Sequence, residues 1–159
     1  MSLTTEKRTT SSAANRFLTV TLGKELYALC ALNVREIIRP PEISPVPRSP
    51  AHLLGVINLR GKIIPVLDLR VRFGLEFTGQ TERTCIVVVQ TGKAPATIQH
   101  IGLMVDEAQE VLTLNDIEEP PSFGSSVESS CIRGMAKVRD TVVILLDLDR
   151  LLAEGKEEP

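Results

Sequence analysis

Residues 55–69, GVINLRGKIIPVLDL, and residues 134–148, GMAKVRDTVVILLDL, are two versions of one pattern. Each has two apolar runs around a short polar turn, which is typical of a β-hairpin, and each ends near an aspartate that can cap a helical turn. Aligned without a gap at an offset of 79 residues, they share Gly55 with Gly134, Arg60 with Arg139, and Leu-Asp-Leu at 67–69 with the same triplet at 146–148. The chain therefore carries the same predicted hairpin twice.

A second, weaker similarity precedes the two hairpins. YALCALNVREII, residues 27–38, aligns with IGLMVDEAQEVL, residues 101–112, at an offset of 74. Because both similarities occur in the same order, they indicate an internal duplication with sequence halves of about 17–75 and 84–152. Several short strands separated by turns in each half favour two small β-barrels over one open sheet.

The segments before the first hairpin predict strands and one irregular connection. FLTVTL and LYALC, at 17–22 and 26–30, predict two strands joined by a tight turn at Gly23. Residues 40–50, PPEISPVPRSP, hold five of the ten prolines, and proline cannot donate to a strand ladder. We therefore expect this stretch to be an extended connection outside any central strand.

Helices are predicted at two places beyond the helical turn that follows Asp68. In NVREII, the apolar residues Val34, Ile37 and Ile38 lie at i, i+3 and i+4, which predicts a short helix ending before the next proline. At the end of the chain, Asp147 is expected to cap a helix that Gly155 ends.

The two hairpin turns differ in chemistry. Arg60 and Gly61 predict a type II turn or a bulged hairpin, in which the glycine takes positive φ. Asp140 stands at the place of Gly61 in the second copy and tolerates the same backbone region. For Arg139 the simplest interpretation is a soluble residue at an exposed tip. We therefore expect an asymmetric molecule in which the first hairpin carries the function.

Composition limits the class of protein. The chain has 159 residues, 43% apolar and 3% aromatic, so its core is built chiefly from Val, Ile and Leu, which favours sheet. A net charge of −2 and few aromatic residues argue against a nucleic-acid partner such as an OB-fold binds. No apolar run is long enough to insert in a membrane. Residues 1–16 predict a disordered leader without a signal peptide, which indicates the cytoplasm, and residues 153–159 a frayed tail.

No catalytic residues, metal ligands or cofactor site are predicted. The nucleophile, zinc and phosphate-binding motifs are absent, and His52 and His100 lie in loop-like segments without a ligand at suitable spacing. The three cysteines are expected to be buried and reduced. The acidic residues of the second half predict a solvated face; they are Asp106, Glu107, Glu110, Asp116, Glu118 and Glu119. The prediction is a binding module, with a hydrolase conceivable only around a buried carboxylate pair.

Residues 33–75 closely resemble the CheW family of bacterial chemotaxis coupling proteins. The motifs that carry the resemblance are V-R-E-I, the proline-rich stretch, G-V-I-N-L-R-G, and P-V-L-D-L-R followed by R-F-G-L. GLMVDEAQEVL and VVILLDLDRLL extend it over about residues 17–152 as one domain. The resemblance implies an all-β fold of two interleaved five-stranded barrels, SH3-like or OB-like, related by a pseudo-twofold, with short helices and a C-terminal helix.

The family resemblance also implies a function. Members are non-enzymatic adaptors that couple methyl-accepting chemotaxis receptors to the regulatory domain of the histidine kinase CheA and support receptor arrays. This implies a cytoplasmic protein, without a cofactor, that receptors recruit to the inner face of the membrane. A coupling protein of a non-flagellar pathway such as pilus motility, and an excised regulatory domain of a kinase, are the alternatives.

The receptor-facing groove carried over from the family lies between the two barrels and comprises five residues: Val34, Glu36, Gly55, Asn58 and Arg60. In this interpretation Gly55 leaves room for a receptor helix, Val34 offers an apolar contact, and Arg60 pairs either with Glu36 or with a receptor carboxylate. No kinase-binding residue is assigned. The loop at 91–100 is longer than is usual in the family, and its effect is not predicted.

Overall fold

The structure of the protein is a computed structural model that describes residues 15–75, 79–92, 98–119 and 131–157, with the side chains of 153–157 excepted. Most of the leader expected at 1–16 and the side chains of the tail expected at 153–159 lie outside the described residues. In the described part of the chain, no helix has the length and apolar character needed to cross a membrane.

Ten strands and two α-helices follow one another in the described ranges. The strands are β1 (Arg16–Leu22), β2 (Glu25–Cys30), β3 (Val34–Ile38), β4 (Leu53–Leu59), β5 (Lys62–Asp68), β6 (Cys85–Thr91), β7 (Gln99–Val105), β8 (Glu107–Thr113), β9 (Ile132–Val138) and β10 (Thr141–Leu146). Helix α1 (Leu69–Arg72) follows β5, helix α2 (Leu148–Glu157) follows β10, and a 3₁₀ turn, Ala31–Asn33, precedes β3.

The strands form two five-stranded sheets. Sheet 1 has the order β8-β1-β2-β10-β9, and sheet 2 has the order β3-β6-β7-β5-β4. In each sheet three neighbouring pairs are antiparallel and one is parallel, β2 with β10 and β5 with β7. The predicted fold class, all-β with two five-stranded units, short helices and a C-terminal helix, is confirmed.

The duplication is visible in the topology. Advancing every strand of sheet 1 by five places in chain order gives sheet 2, so each sheet takes two strands from one half and three from the other. The register agrees as well, because Leu145 pairs with Ala28 as Val66 pairs with Gly102. These partners are related by the two offsets found in the sequence, 79 and 74 residues.

Sheet 2 is one continuous segment of the chain, β3 to β7, inserted between the strands of sheet 1. Within the described residues, the chain passes from one sheet to the other at two places, the 3₁₀ turn Ala31–Asn33 and the bend at Asp106. Neither sheet therefore coincides with one half of the duplicated sequence.

Each sheet curls around its own apolar cluster, and a third cluster lies between the sheets. The cluster inside sheet 2 receives residues from β4, β5, β6 and β7, with Ile38 of β3 packed against it. The strand β6 shows how the sequence achieves this: Ile86 and Val88 point into that cluster, whereas Val87 and Val89 point into the cluster between the sheets. A strand buried on both faces has a continuous apolar sequence, which explains the run CIVVV.

The short helix predicted in NVREII is wrong, because Val34–Ile38 forms the edge strand β3, paired with β6. Half-buried and exposed residues alternate along β3, and the half-buried ones are Val34, Glu36 and Ile38. That alternation has the period of a strand. Glu36 stands at a half-buried position and interrupts the apolar pattern of the strand. The remaining apolar residues, Val34, Ile37 and Ile38, have the spacing of a helix.

Two predicted helix ends had different outcomes. Asp68 Oδ1 accepts a hydrogen bond from Arg70 N at 2.9 Å, which confirms the N-cap of α1, and Gly74 takes a φ of +69° just beyond that helix. The stop predicted at Gly155 is wrong, since α2 extends to Glu157. A glycine within a helix costs only about 1 kcal/mol relative to alanine, so it does not by itself end the helix.

Candidate functional site

The tip of the first hairpin is a two-residue turn. Arg60 and Gly61 have φ values of +51° and +88°, and Arg139 and Asp140 in the second hairpin have +48° and +68°. Positive φ at both central residues of a two-residue loop defines a type I′ turn, so the predicted type II turn or bulge is wrong. Asn58 fixes the first turn, because its Oδ1 accepts a hydrogen bond from Gly61 N at 2.9 Å.

An ion pair joins this hairpin to the opposite edge of sheet 2. Arg60 Nη2 contacts Glu36 Oε2, so the side chain at the tip of the β4–β5 hairpin reaches the edge strand β3. β3 and β4 are the two edges of sheet 2. The pair therefore helps to close the sheet into a barrel. Of the two partners expected for Arg60, Glu36 is the one that it contacts in the structure.

The second hairpin makes the equivalent ion pair. Arg139 Nη1 lies 3.1 Å from Glu110 Oε2 on β8, the edge strand of sheet 1. The two arginines are equally exposed, at 70% and 71%. The interpretation of Arg139 as merely a soluble tip residue is therefore wrong. Glu36 and Glu110, which align at the offset of 74, were the signal in the sequence that could have revealed both pairs.

Gly55 is buried against the chain's own proline-rich connection and does not border an open space. A Cβ atom at Gly55 would lie 2.2 Å from the carbonyl oxygen of Ser44, and φ there is +150°. Ser44 and Val56 exchange two backbone hydrogen bonds of 2.9 Å. The reason given for Gly55, room for a receptor helix, is replaced by this internal contact. Gly134 repeats it against Ile117 and Glu118.

The structure thus brings together three of the five predicted groove residues. Glu36, Asn58 and Arg60 meet at the hairpin tip. Val34, at the start of β3, packs against the cluster between the sheets. Gly55 lies five residues before Arg60 on an extended strand, which separates them by about 17 Å.

A cavity of about 420 Å³ opens beside the ion pair at the mouth of sheet 2. Its lining combines apolar and cationic side chains; the residues are Arg35, Glu36, Leu59, Arg60, Lys62, Ile64, Val88 and His100. Gln90 Oε1 accepts a hydrogen bond from Arg35 Nε at 2.9 Å and lies 3.2 Å from His100 Nε2. His100 belongs to β7, so its assignment to a loop-like segment is wrong. We call this cavity and its lining the basic mouth.

Burial and the nearby charges of Lys62 and Arg35 hold the pKa of His100 below its ordinary value of 6.5. The imidazole is therefore mostly neutral at pH 7. Arg35 and Lys62 supply the positive charge of the basic mouth, and in the part of the chain that the structure describes neither makes an ion pair with an acidic side chain.

Sequence reasoning missed a buried ionic cluster around Arg70. The fully buried Arg70 guanidinium binds both oxygens of Asp68 at 3.1 Å and Asp106 Oδ1 at 2.6 Å. Asp106 Oδ2 also accepts a hydrogen bond from Gly23 N at 2.7 Å. The cluster therefore fastens the end of β5 to the bend between the sheets and to the β1–β2 turn. Burial opposes the charged form, but the carboxylates outweigh it and raise the pKa of Arg70.

The other polar candidates have structural roles or are exposed. Four of the six residues assigned to a solvated acidic face are exposed, Glu110, Asp116, Glu118 and Glu119, and Glu107 is half-buried. The assignment is wrong for Asp106, which binds the buried Arg70. Cys85 and Cys131 are buried, Cys30 is half-buried, and burial raises the pKa of the Cys85 thiol. Among the described residues, no group of three or more His, Cys, Asp or Glu is placed to hold a metal.

Comparison with protein families gives a match to the model described as CheW-like domain over residues 16–156. The chain is 32% identical over 139 residues to a probable chemotaxis protein CheW from Rhizobium etli, covering 86% of each chain. It is 30% identical over 152 residues to the chemotaxis protein CheW from Klebsiella aerogenes, covering 94% of this chain and 89% of the relative.

A solved structure is similar over nearly the same length. The crystal structure of the scaffolding protein TtCheW from Thermoanaerobacter tengcongensis superposes with a TM-score of 0.76, and 34% of the residues are identical. The match covers 87% of each chain. The similarity therefore extends over both sheets.

Proposed function

The chain belongs to the CheW-like domain family, and on that premise we propose that it couples methyl-accepting chemotaxis receptors to the histidine kinase CheA. As an adaptor it recruits the kinase to the receptor tips at the inner face of the membrane and supports array assembly and kinase control. The relatives are named as chemotaxis and scaffolding proteins, which confirms the expectation of a non-enzymatic role.

The observation that supports this proposal most directly is the constellation of Glu36, Asn58 and Arg60. These three residues carry the family's V-R-E-I and N-L-R-G motifs, and they meet beside the basic mouth although 24 residues separate Glu36 from Arg60. A groove with an apolar floor and a charged rim suits an amphipathic helical segment of a partner. We place the receptor contact there and assign no kinase-binding residue.

The chemotaxis pathway is favoured over pilus motility because the relatives matched over most of their length are named chemotaxis proteins. No observation in the structure favours the excised kinase domain. We therefore propose one function, and the choice of receptor is left to the experiment.

The test compares charge reversals at the two hairpin tips. Arg60→Glu and Arg139→Glu each break an ion pair of one exposed arginine with one glutamate, so their structural costs match. Co-sedimentation with receptor-bearing membranes and CheA, together with kinase activity, measures coupling. We expect Arg60→Glu to lose most receptor binding and kinase activation and Arg139→Glu to keep receptor binding.

A third variant separates structure from contact. Arg60→Glu combined with Glu36→Arg restores an ion pair of reversed sense and therefore the closure of the barrel. If the reversed pair restores stability but not receptor binding, the side chains at 36 and 60 contact the receptor. If the wild-type protein recruits no kinase to the receptor membranes, the proposed function itself is wrong.

A further inference from the structure

The basic mouth has a counterpart in sheet 1 that lies at the equivalent position of the duplication. The ion pair of Arg60 with Glu36 recurs there as Arg139 with Glu110. The hydrogen bond between Arg35 and Gln90 has a counterpart there as well. Gln109 Nε2 donates to Thr21 Oγ1 at 2.8 Å, as Arg35 Nε donates to Gln90 Oε1 at 2.9 Å. The two mouths therefore share their framework of side-chain contacts.

The charges of the two mouths differ. Registers within the sheets make Gln109, Thr141 and Leu26 the counterparts of Arg35, Lys62 and His100. Apart from the ion pair of Arg60 with Glu36, every cationic or titratable side chain of the basic mouth is thus replaced by a neutral one in sheet 1. Closure of a barrel does not require the positive charge, because the sheet 1 barrel closes with the same ion pair and without it.

Arg35, Lys62 and His100 converge from three strands, β3, β5 and β7, on one apolar floor formed by Leu59, Ile64 and Val88. Arg60 at the same rim is already neutralised by Glu36. The uncompensated charge is therefore positive, in a chain whose net charge is −2. Two like charges held beside an apolar floor repel each other, which favours an occupant that supplies negative charge.

Resting on the proposed receptor contact, we infer that the basic mouth selects a receptor helical segment that carries carboxylates beside its apolar face. The apolar face covers Leu59, Ile64 and Val88, and the carboxylates pair with Arg35 and Lys62. Gln90, whose Oε1 contacts both Arg35 Nε and His100 Nε2, holds the Arg35 guanidinium toward the groove. The ion pair of Glu36 with Arg60 closes the barrel beneath the segment, so the neighbouring cations determine which receptor segments bind.

The experiment replaces the three side chains with those of the other mouth. The triple variant Arg35→Gln, Lys62→Thr and His100→Leu removes the two cations and the imidazole and leaves side chains that sheet 1 already carries at the equivalent positions. Receptor membranes are titrated with wild type and variant at about 50 mM and about 500 mM salt, because salt screens exposed charges. We expect about fivefold to thirtyfold weaker receptor binding at low salt, and near-equal binding at high salt.

The matched control adds charge to the other mouth. Gln109→Arg combined with Thr141→Lys introduces two cations there, and we expect receptor binding to stay as in wild type. Thermal unfolding of both variants shows whether they are folded. A folded triple variant that binds receptor membranes like wild type, with the same salt dependence, overturns the inference and leaves the proposed function standing.

A second measurement distinguishes a receptor from another copy of this chain. The exposed Asp116, Glu118 and Glu119 are the acidic segment that a second copy could place in the basic mouth. Sedimentation velocity of the protein alone at low salt is expected to give the same species for wild type and triple variant. A dimer that the triple variant abolishes, with receptor binding unchanged, assigns the mouth to self-association and overturns the inference. Wild type that binds no receptor membrane removes the proposed function and the inference together.

Discussion

The two halves of the chain keep the same framework and differ in what surrounds it. Both copies have the type I′ turn, the arginine–glutamate pair, and the glycine packed on a backbone carbonyl. They differ at the buried Arg70 cluster and at the charges of the two mouths. The shared features close a barrel, and the unshared ones either fasten the sheets to each other or face solvent. The two halves therefore share the contacts that close a barrel and differ in the residues around them.

The largest difference in stability between the two halves is expected at Arg70. Its counterpart at the offset of 79 is Asp149, which is exposed at the start of α2. Arg70→Leu leaves the carboxylates of Asp68 and Asp106 without their buried cation, and we expect a loss of about 3–5 kcal/mol in the free energy of unfolding. Asp149→Leu is the control and should change it by less than about 0.5 kcal/mol. Urea unfolding measures both, and equal losses would contradict the asymmetric role of the cluster.

Alanine at the two shared glycines should lower the free energy of unfolding by different amounts. A Cβ at Gly55 meets the Ser44 carbonyl oxygen at 2.2 Å with φ at +150°, whereas a Cβ at Gly134 meets the Ile117 side chain at 2.6 Å and the Glu118 carbonyl oxygen at 2.9 Å. A side chain yields more easily than backbone and the backbone contact at Gly134 is the longer one, so we expect Gly55→Ala to lose about 3 kcal/mol and Gly134→Ala about 1–2 kcal/mol. Urea unfolding again measures the difference, and a larger loss at Gly134 would show that the connection at Ser44 moves freely.

The two ion pairs should contribute equally to stability. Arg60→Gln and Arg139→Gln each remove an exposed arginine from a glutamate, and such pairs stabilise a protein by at most about 1 kcal/mol. We expect both variants to lose about 0.5 kcal/mol, less at high salt. Thermal unfolding with and without added salt measures the losses. A much larger loss for Arg60→Gln would mean that its role in closing the barrel exceeds that of its counterpart.

His100, whose counterpart in sheet 1 is Leu26, should make the smallest contribution to stability, through the titration of its imidazole. Its pKa lies below 6.5 because of burial and the charges of Lys62 and Arg35, so Lys62→Thr should raise it. Because the wild-type pKa is lowered on folding, the unfolded chain binds the proton more tightly than the folded chain. Stability therefore falls as the pH drops below about 6.5. NMR titration of the imidazole measures the pKa, and His100→Leu should lose this part of the pH dependence. A pKa above 6.5 in wild type would contradict the description of the basic mouth.

The sequence predicted the barrels better than it predicted which strands build them. Short apolar runs bounded by polar turns identify β1, β2 and the hairpins, because strands that pack on a core carry apolar residues. The pairing of β2 with β10 and of β5 with β7 joins residues distant in the chain, and no local pattern specifies it. In β3, Glu36 pairs with Arg60 and occupies a half-buried position at which the strand pattern would have an apolar residue. The requirement of the ion pair thus concealed the strand.

The candidate site was partly predictable for the same reason. Glu36 and Arg60 were identified through family motifs, and their echo at Glu110 and Arg139 could have been found from the duplication alone. Arg35 and His100 were not identified, because a surface cation on an unassigned strand has no distinguishing context in the sequence. Their convergence depends on β3, β5 and β7 meeting at one mouth, which only the sheet order provides.

The insertion of sheet 2 between strands of sheet 1 sets an order for synthesis on the ribosome. Sheet 2 is complete once residue 105 has emerged, but β1 and β2 wait for β8 and β10. At the usual pace of translation, of about 5–20 residues per second, synthesis from Cys30 to Leu146 takes about 6–23 s, and the β1–β2 hairpin lacks its other strand partners until then. Its strands are largely apolar and buried in the finished protein. The β1–β2 hairpin therefore exposes apolar side chains on the nascent chain until the second half of the protein has been made.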